Sequence, residues 1–396
     1  MSRIDELIQQ LCPNGVEYKP LGDIVNILDS QRKPISKEKR IPGKIPYYGA
    51  NGIQGYVKDF IFDGIFLLIG EDGSVINKDG SPVLNWAEGK IWVNNHAHIL
   101  TEKKDIASLR FIFFFLQTYD VTPVVRGTPP KMTQQSLREI MIPVPPLPVQ
   151  EEIVRILDKF TALEAELEAE LEARRKQYEF YRDQLLTFGD EVEWKPLGEI
   201  IISLRTGLNP RKNFNLNTPD ASNYYVTVRE LNGTSVVFHD KTDRINDDAL
   251  RLINNRSKLE KGDLLFSGTG TIGRTAFISE TPVNWNIKEG VYVIKPQQGE
   301  INSKYLLYIL NTTKIRQQIA NKVVGSPVSS IPMAELKKIR IPIPPLAGQE
   351  RIVAILDKFD ALVNDISSGL PAELEMRRKQ YEYYRDRLLT FPEKKG

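Results

Sequence analysis

The chain has 396 residues, of which 41% are hydrophobic and 26% charged, with a net charge of +2. This is the composition of a folded protein of two or three domains and excludes disordered and collagen-like classes. No apolar run reaches the ~18 residues of a membrane span, and the single cysteine, Cys12, excludes an intrachain disulfide and any multi-Cys metal site.

The opening segment, MSRIDELIQQLCPNG, lacks the long apolar stretch of a signal peptide. With the lone cysteine it predicts a cytoplasmic protein. Ile4, Leu7, Ile8 and Leu11 predict a short amphipathic helix, expected to pack beside the distal long helix. VEYKPLGDI follows at 16–24. Residues 32–44, RKPISKEKRIPGK, hold six bases and one acid, and a turn segment with two aromatics follows at 47–53. Short β-like runs broken by Gly, Asn and Asp come next, such as GIFLLIGEDGS at 64–74. SLRFIFFFLQTY at 108–119 is helix-like, and RGTPPKMT at 126–133 is a Gly-containing loop.

Prolines 143, 145, 146 and 148 form a stiff lead-in to a predicted helix over 150–188. Ile153, Leu157, Phe160, Leu163, Leu167, Leu171, Tyr178, Tyr181 and Leu185 step by about 3.5 residues on average, which suits a coiled-coil seam. Such a helix spans about 57 Å, so it needs a partner helix. Within it, LEAE, LEAE and LEAR place Glu164, Glu168 and Glu172 at i, i+4 spacing. They predict either a solvated acidic face or a docking face for a basic partner.

The chain then begins again. VEWKPLGEI at 192–200, GDLLFSGTGTIG at 262–273, SKYLLYILNTTKI at 303–315 and VGSPVSSI at 324–331 echo the first half. Residues 339–362 repeat 140–163 at an offset of 199, and 377–391 repeat 174–188 at an offset of 203. The second seam offers Ile352, Leu356, Phe359, Leu362, Ile366, Leu370, Leu374, Tyr381, Tyr384 and Leu388. Gly369 and Pro371 interrupt it, which predicts a kink or short break. The four extra residues resemble a stutter. Antiparallel pairing of the two long helices would give pseudo-two-fold symmetry. Residues 150–187 carry ten acids and six bases, and 349–389 eight and seven. The rest of the chain therefore holds about seven surplus positive charges, compatible with a polyanionic partner.

Several motifs offer chemistry. Gly268–Gly273 fits GxGxxG, but the segment after it reads as a strand rather than the helix a dinucleotide site needs, so a turn is expected. His96 and His98 could share a strand face as metal ligands, yet no Cys or acidic cluster accompanies them in the sequence, so a structural or substrate-facing role is expected. Asp79, Glu88 and Lys90 match a metal-nuclease pattern only loosely. No Asn- or Asp-Pro-Pro-aromatic motif is present, which argues against amino-methyltransferase chemistry. The basic and polar loops are better candidates, because Arg and Lys neutralise phosphates while Arg and Asn pair bidentately with base edges. They contain Arg32, Lys33, Lys39, Arg40, Asn51, Arg126, Thr128 and Lys131 in the first half. The second half offers Arg205, Arg211, Lys212, Asn213, Arg274 and Ser326.

The two PxPPLxxQExIVxILDKFxAL…RRKQYExYRDxLLTF blocks, the VEY/WKPLG openings, YYGANGI, NNHAHIL and GDLLFSGTGTIGRT resemble the specificity subunit of Type I restriction–modification enzymes. The resemblance covers essentially the whole chain. It implies an α+β protein with two target recognition domains separated by two long helices packed as an antiparallel coiled coil. The expected division is 1–149, 150–188, 189–348 and 349–396. It implies a non-catalytic subunit that reads a bipartite double-stranded DNA target with a nonspecific spacer. Two methyltransferase (modification) subunits would dock on the helices, and restriction (translocase/nuclease) subunits would join them. The complex would use S-adenosylmethionine, ATP and Mg²⁺, none bound by this chain. The LEAE repeat resembles the region through which the family varies its spacer. The alternatives are a coiled-coil scaffold without DNA contact and a stand-alone methyltransferase or nuclease.

Overall fold

A computed structural model describes residues 2–325, 327–365 and 368–394, with Arg211 described by its backbone alone. The chain forms two compact units. The first takes residues 1–168 and 373–396, and the second takes 169–372. The division falls inside the helices that the sequence marks as connectors.

The first unit is built on a six-stranded sheet. In spatial order its strands are Val25–Ile27, Ala97–Glu102, Phe62–Gly70, Leu84–Val93, Pro42–Gly49 and Gly52–Val57. All neighbours run antiparallel except Pro42–Gly49 beside Leu84–Val93, where Tyr47 pairs with Trp92. The run FLLIG is continuously apolar because both faces of its strand are covered. Leu67 and Ile69 join a core with Phe111, Ile112 and Phe114 of helix Leu109–Leu116. Phe66 and Leu68 point into a second cluster with Ile91, Val93 and Ile99. The N-terminal helix, Arg3–Leu11, starts from a Ser2/Asp5 capping box. Its Ile4, Leu7 and Ile8 pack in the same core as Leu388, Leu389 and Phe391, as expected, whereas Leu11 faces solvent.

The second unit repeats the first four strands of that order: Ile201–Thr206, Val291–Pro296, Leu264–Ser267 and Thr275–Phe277. A separate three-stranded sheet holds Arg244–Ile245, Asn223–Val226 and Trp285–Ile287. There too a Tyr-Tyr strand runs parallel to a Trp-bearing one, with Tyr224 opposite Trp285. Helix Ser303–Leu310 is the counterpart of Leu109–Leu116; a separate helix, Thr313–Ala320, starts from the Thr312 cap.

Each PPLxxQ segment fastens a long helix to its own unit in the same way. The Gln150 carboxamide accepts from the Ser108 N–H at 2.9 Å and donates to the Pro145 and Ile106 carbonyls. Gln349 accepts from the Asn302 N–H at 2.8 Å and donates to Pro344 and Glu300. Both glutamines are fully buried, so all three bonds replace water entirely.

The first long helix runs without interruption over Leu147–Leu185. It starts before residue 150 because Pro148 sits in the first turn, where a missing N–H costs nothing. The second is broken into Leu346–Asn364 and Leu370–Leu389. Pro371 again lies in a first turn. A Cβ on Gly369 would meet the Ala361, Leu362 and Asp365 carbonyls at 2.5–2.9 Å, so the break closes too tightly for any side chain. In the first unit the helices pair antiparallel. Phe160 stacks on Tyr384 at 5.5 Å, and Arg378 bonds both Glu164 and Glu168. The acidic face thus finds a basic partner inside the chain. In the second unit Tyr181 stacks on Phe359 at 5.8 Å. The seam is thinner than its spacing predicts. Leu163 and Leu362 are exposed, because a 3.5-residue series drifts about 20° per heptad around a straight helix. Ile366 lies outside the described residues.

Candidate DNA interface

The two units share one backbone frame at the same end of the sheet. In the first, Asp72 bridges Lys131, and Arg126 and Lys131 exchange backbone hydrogen bonds at 2.9 and 2.7 Å. Gly73 donates to Pro130, Met132 to Glu71, and Glu71 to His96. In the second, Thr269 bridges Ser330, and Val324 and Ser330 exchange both bonds at 2.8 Å. Gly270 donates to Ser329, Ile331 to Gly268, and Gly268 to Gly290. Glu71, Asp72, His96, Arg126 and Lys131 therefore stand where Gly268, Thr269, Gly290, Val324 and Ser330 stand. The frame is constant and the side chains differ. The loops close through glycines with positive φ, Gly127 at +87° and Gly325 at +101°.

The strand register extends the correspondence inward. Ile69 pairs with His98 as Phe266 pairs with Tyr292. The His98 Nε2 lies 2.9 Å from the Met132 carbonyl, and the Tyr292 hydroxyl donates to Ile331 at 2.7 Å. Asp29 corresponds to Thr206, one on each of the neighbouring strand ends. Asp29 sits 2.7 Å from His98 Nδ1 and accepts from Gln134 and from the Ile99 N–H. Burial alone would raise the Asp29 carboxyl, but the hydrogen bonds from His98, Gln134 and Ile99 outweigh it and hold the group below the usual carboxylate range.

Arg32 turns most of its donors inward. Its Nε donates to the Asp29 carbonyl at 2.9 Å, and its Nη1 reaches Glu71 at 2.5 Å and the Ala97 carbonyl at 2.9 Å. Asp29, Glu71 and His98 have ligand atoms within 4.8 Å of one another, but the cation seated beside them is the Arg32 guanidinium. Lys33 is exposed, with its carbonyl held by the Trp92 indole N–H. Arg40 lies flat over the Tyr47 ring at 3.9 Å and bonds the Ile35 carbonyl. Asn51 is exposed at the tip of the hairpin Pro42–Gly49/Gly52–Val57, and Lys39 stands in the turn Lys37–Lys39. Arg126, Thr128 and Lys131 are exposed on the closed loop, where Lys131 lies 3.3 Å from Glu71. The structure thus gathers Arg32, Lys33, Arg126, Thr128 and Lys131 around one strand end, and leaves Lys39 apart.

In the second unit the frame opens onto a cleft of about 760 Å³, lined by Thr206, Thr227, Arg229, Arg256, Thr269, Lys288 and Ser330 among others. Arg205 is exposed and bonds the Arg256 carbonyl; Arg274 is exposed and reaches the Val228 carbonyl. Lys212 and Asn213 are exposed on the turn of helix Pro210–Asn213. The Arg211 side chain and Ser326 lie outside the described residues. Sequence reasoning missed Arg229, Arg256 and Lys288. Only Thr269 carried a signal, inside the GTGTIG turn, which is indeed a hairpin turn with Gly270 and Gly273 at positive φ.

The remaining motifs are accounted for locally. His96 sits in a turn, half-exposed beside Asp72, so it does not share a strand face with the buried His98. Asp79 caps Ser81, Glu88 accepts from the Trp86 indole, and Lys90 lies over Phe60. Among the described residues no helix is long and apolar enough to cross a membrane.

One frame used twice, with different side chains at matching loop positions, defines a duplicated recognition protein. The family model described as "Type I restriction modification DNA specificity domain" matches residues 13–173 and 189–376. A Haemophilus influenzae chain named for a type I restriction enzyme specificity subunit is 38% identical over 95% of this chain and 96% of its own length. The specificity subunit of an Escherichia coli type I restriction enzyme is 33% identical over 99% of this chain and 98% of its own length. The crystal structure of a type I S subunit from M. genitalium matches at a TM-score of 0.58 and 14% identity, covering 95% of this chain and 96% of that one. The chain belongs to the specificity subunits of type I restriction–modification systems.

Proposed function

We propose that each unit reads one half of a bipartite DNA target and that the chain itself performs no chemistry. The observation that carries this is the constant frame with exchanged side chains, Asp72, Arg126 and Lys131 against Thr269, Val324 and Ser330. Such exchange alters readout without altering the fold. Lys33, Arg126, Thr128 and Lys131 face DNA in the first unit. Arg205, Arg229, Arg256, Lys288 and Arg274 do so in the second. Arg211, Lys212, Asn213 and Ser326 belong to the same loops by sequence, and Lys39, Arg40 and Asn51 flank the first.

The partners in this reading are two copies of a modification subunit, joined by restriction subunits. S-adenosylmethionine, ATP and Mg²⁺ serve those subunits rather than this chain. The repeated helices support docking. Phe180 and Tyr383 occupy equivalent positions and are 64% and 61% exposed, so the same aromatic surface is presented twice.

The test is a methylation map of the host genome with and without this gene. Loss of a gapped methylated motif on deletion supports the reading and gives both half-sites. An unchanged map when the chain is coexpressed with its modification subunits would return it to a scaffold role.

A further inference from the structure

We propose that Arg32, Glu71 and His98 form a positioning device that sets the first readout loop, and that Arg32 contacts neither base nor phosphate. This rests on the reading that the first unit recognises one half-site. The Arg32 side chain is 14% exposed, its Nε and Nη1 donors are spent on the Asp29, Asn95 and Ala97 carbonyls and the Glu71 carboxylate, and its Nη2 lies 3.7 Å from the Asp29 carboxylate. Each bidentate edge of the guanidinium needs Nε or Nη1, so with both engaged and Nη2 facing Asp29 no two-pronged fork is left for a guanine or a phosphate. The same Glu71 supplies the carbonyl that accepts from Met132 and the carboxylate beside Lys131. His98 reaches Met132 from below, through its carbonyl. The basic segment at 32–35, the turn at 71–73 and the loop at 126–131 are thus tied at a single point.

The second unit shows what the device replaces. There the Tyr292 hydroxyl holds the Ile331 carbonyl, Thr206 bonds the Val291 carbonyl, and Gly268 stands where Glu71 does. Val291 and Glu289, counterparts of the Ala97 and Asn95 that hold Arg32, instead line the open cleft. The first unit has filled that place with its own guanidinium. Its loop is therefore tied through the Arg32–Glu71 ion pair, whereas in the second unit Arg256 Nε reaches the matching Thr206 carbonyl at 3.1 Å but finds a glycine where Glu71 would stand.

The experiment coexpresses the chain with its modification subunits and maps methylated motifs for wild type, Arg32→Lys and Glu71→Gln. Lysine keeps the charge but cannot satisfy four separate acceptors. Glutamine keeps the shape but loses the charge that holds Arg32. A carboxylate is no phosphate ligand, so Glu71→Gln removes no DNA contact of its own. Both variants are expected to lose about tenfold or more discrimination at two or more positions of one half-site. The other half-site and the salt dependence of duplex binding should stay unchanged. Relaxation at a single base position would mark Arg32 as a base contact and overturn the proposal. So would an unchanged motif. A uniform loss in an Arg32→Ala chain, with the salt slope reduced by about one, would mark a phosphate contact and overturn it equally. If neither variant yields folded protein by circular dichroism, the network serves the fold alone and the proposal fails. Absence of any gapped motif in the wild type would instead reject the parent reading.

Discussion

Asp29 is a buried carboxylate and Asp360 a half-buried one, and acid acts on them with opposite sign. Hydrogen bonds hold Asp29 below the ordinary range despite its burial. Its contribution is therefore present above the unfolded carboxylate pKa and is lost as pH falls through the folded value. Asp29→Asn should cost about 1.5–3 kcal/mol at pH 7, with the gap to wild type closing in acid. Hydrogen exchange of first-unit amides across pH measures this. Burial pushes Asp360 up, only partly offset by its bonds from Asn364 and Thr234. Its charge opposes folding at neutral pH, so Asp360→Asn should stabilise the second unit at pH 8 and lose that advantage as pH falls. Neither role was legible in the sequence. Asp29 meets His98 across 69 positions and Thr234 meets Asp360 across 126, and no local pattern encodes such pairs. The basic loops were legible as charge. That Arg32 spends its charge inward was not, because its acceptors are mostly backbone carbonyls and carry no residue signature.

At the scale of elements, the repeats announced the long helices and their break, since proline and glycine act through backbone geometry alone. The fastening by Gln150 and Gln349 was hidden in the same repeats, because a glutamine in a helix usually faces water. Gln150→Ala should leave the Ser108 N–H and two carbonyls unsatisfied, at a cost of roughly 2–4 kcal/mol. Gln349→Ala should do the same in the other unit. Urea unfolding of each variant reads both values. The uninterrupted helix also carries the LEAE repeat. Removing one tetrapeptide shortens it by about 6 Å and slightly more than one turn. The expected outcome is a shorter spacer with both half-sites retained, read from the methylation map; an unchanged spacer would detach spacing from this helix.

For the whole molecule, chain order and spatial order disagree. The sequence suggests two globular segments in succession, each followed by its helix. In keeping with the expected packing of the N-terminal helix beside the distal one, the structure returns residues 373–396 to the first unit, where Leu388, Leu389 and Phe391 lie in its core and Tyr18 donates to the Phe391 carbonyl at 2.9 Å. Val16 and Glu393 even form a bridge. Truncation after Ala372 should therefore strip protection from the first unit while the second keeps its own. Hydrogen exchange on the shortened chain would show it, and equal loss in both would contradict it. The returning segment also orders events on the ribosome. The second unit has all its residues once synthesis passes Ala372, while the first, begun earlier, must wait for residues 373–396. A nascent chain stalled or cut in that interval carries one finished reader and one with an open core, so proteolytic quality control would act on the half that was translated first.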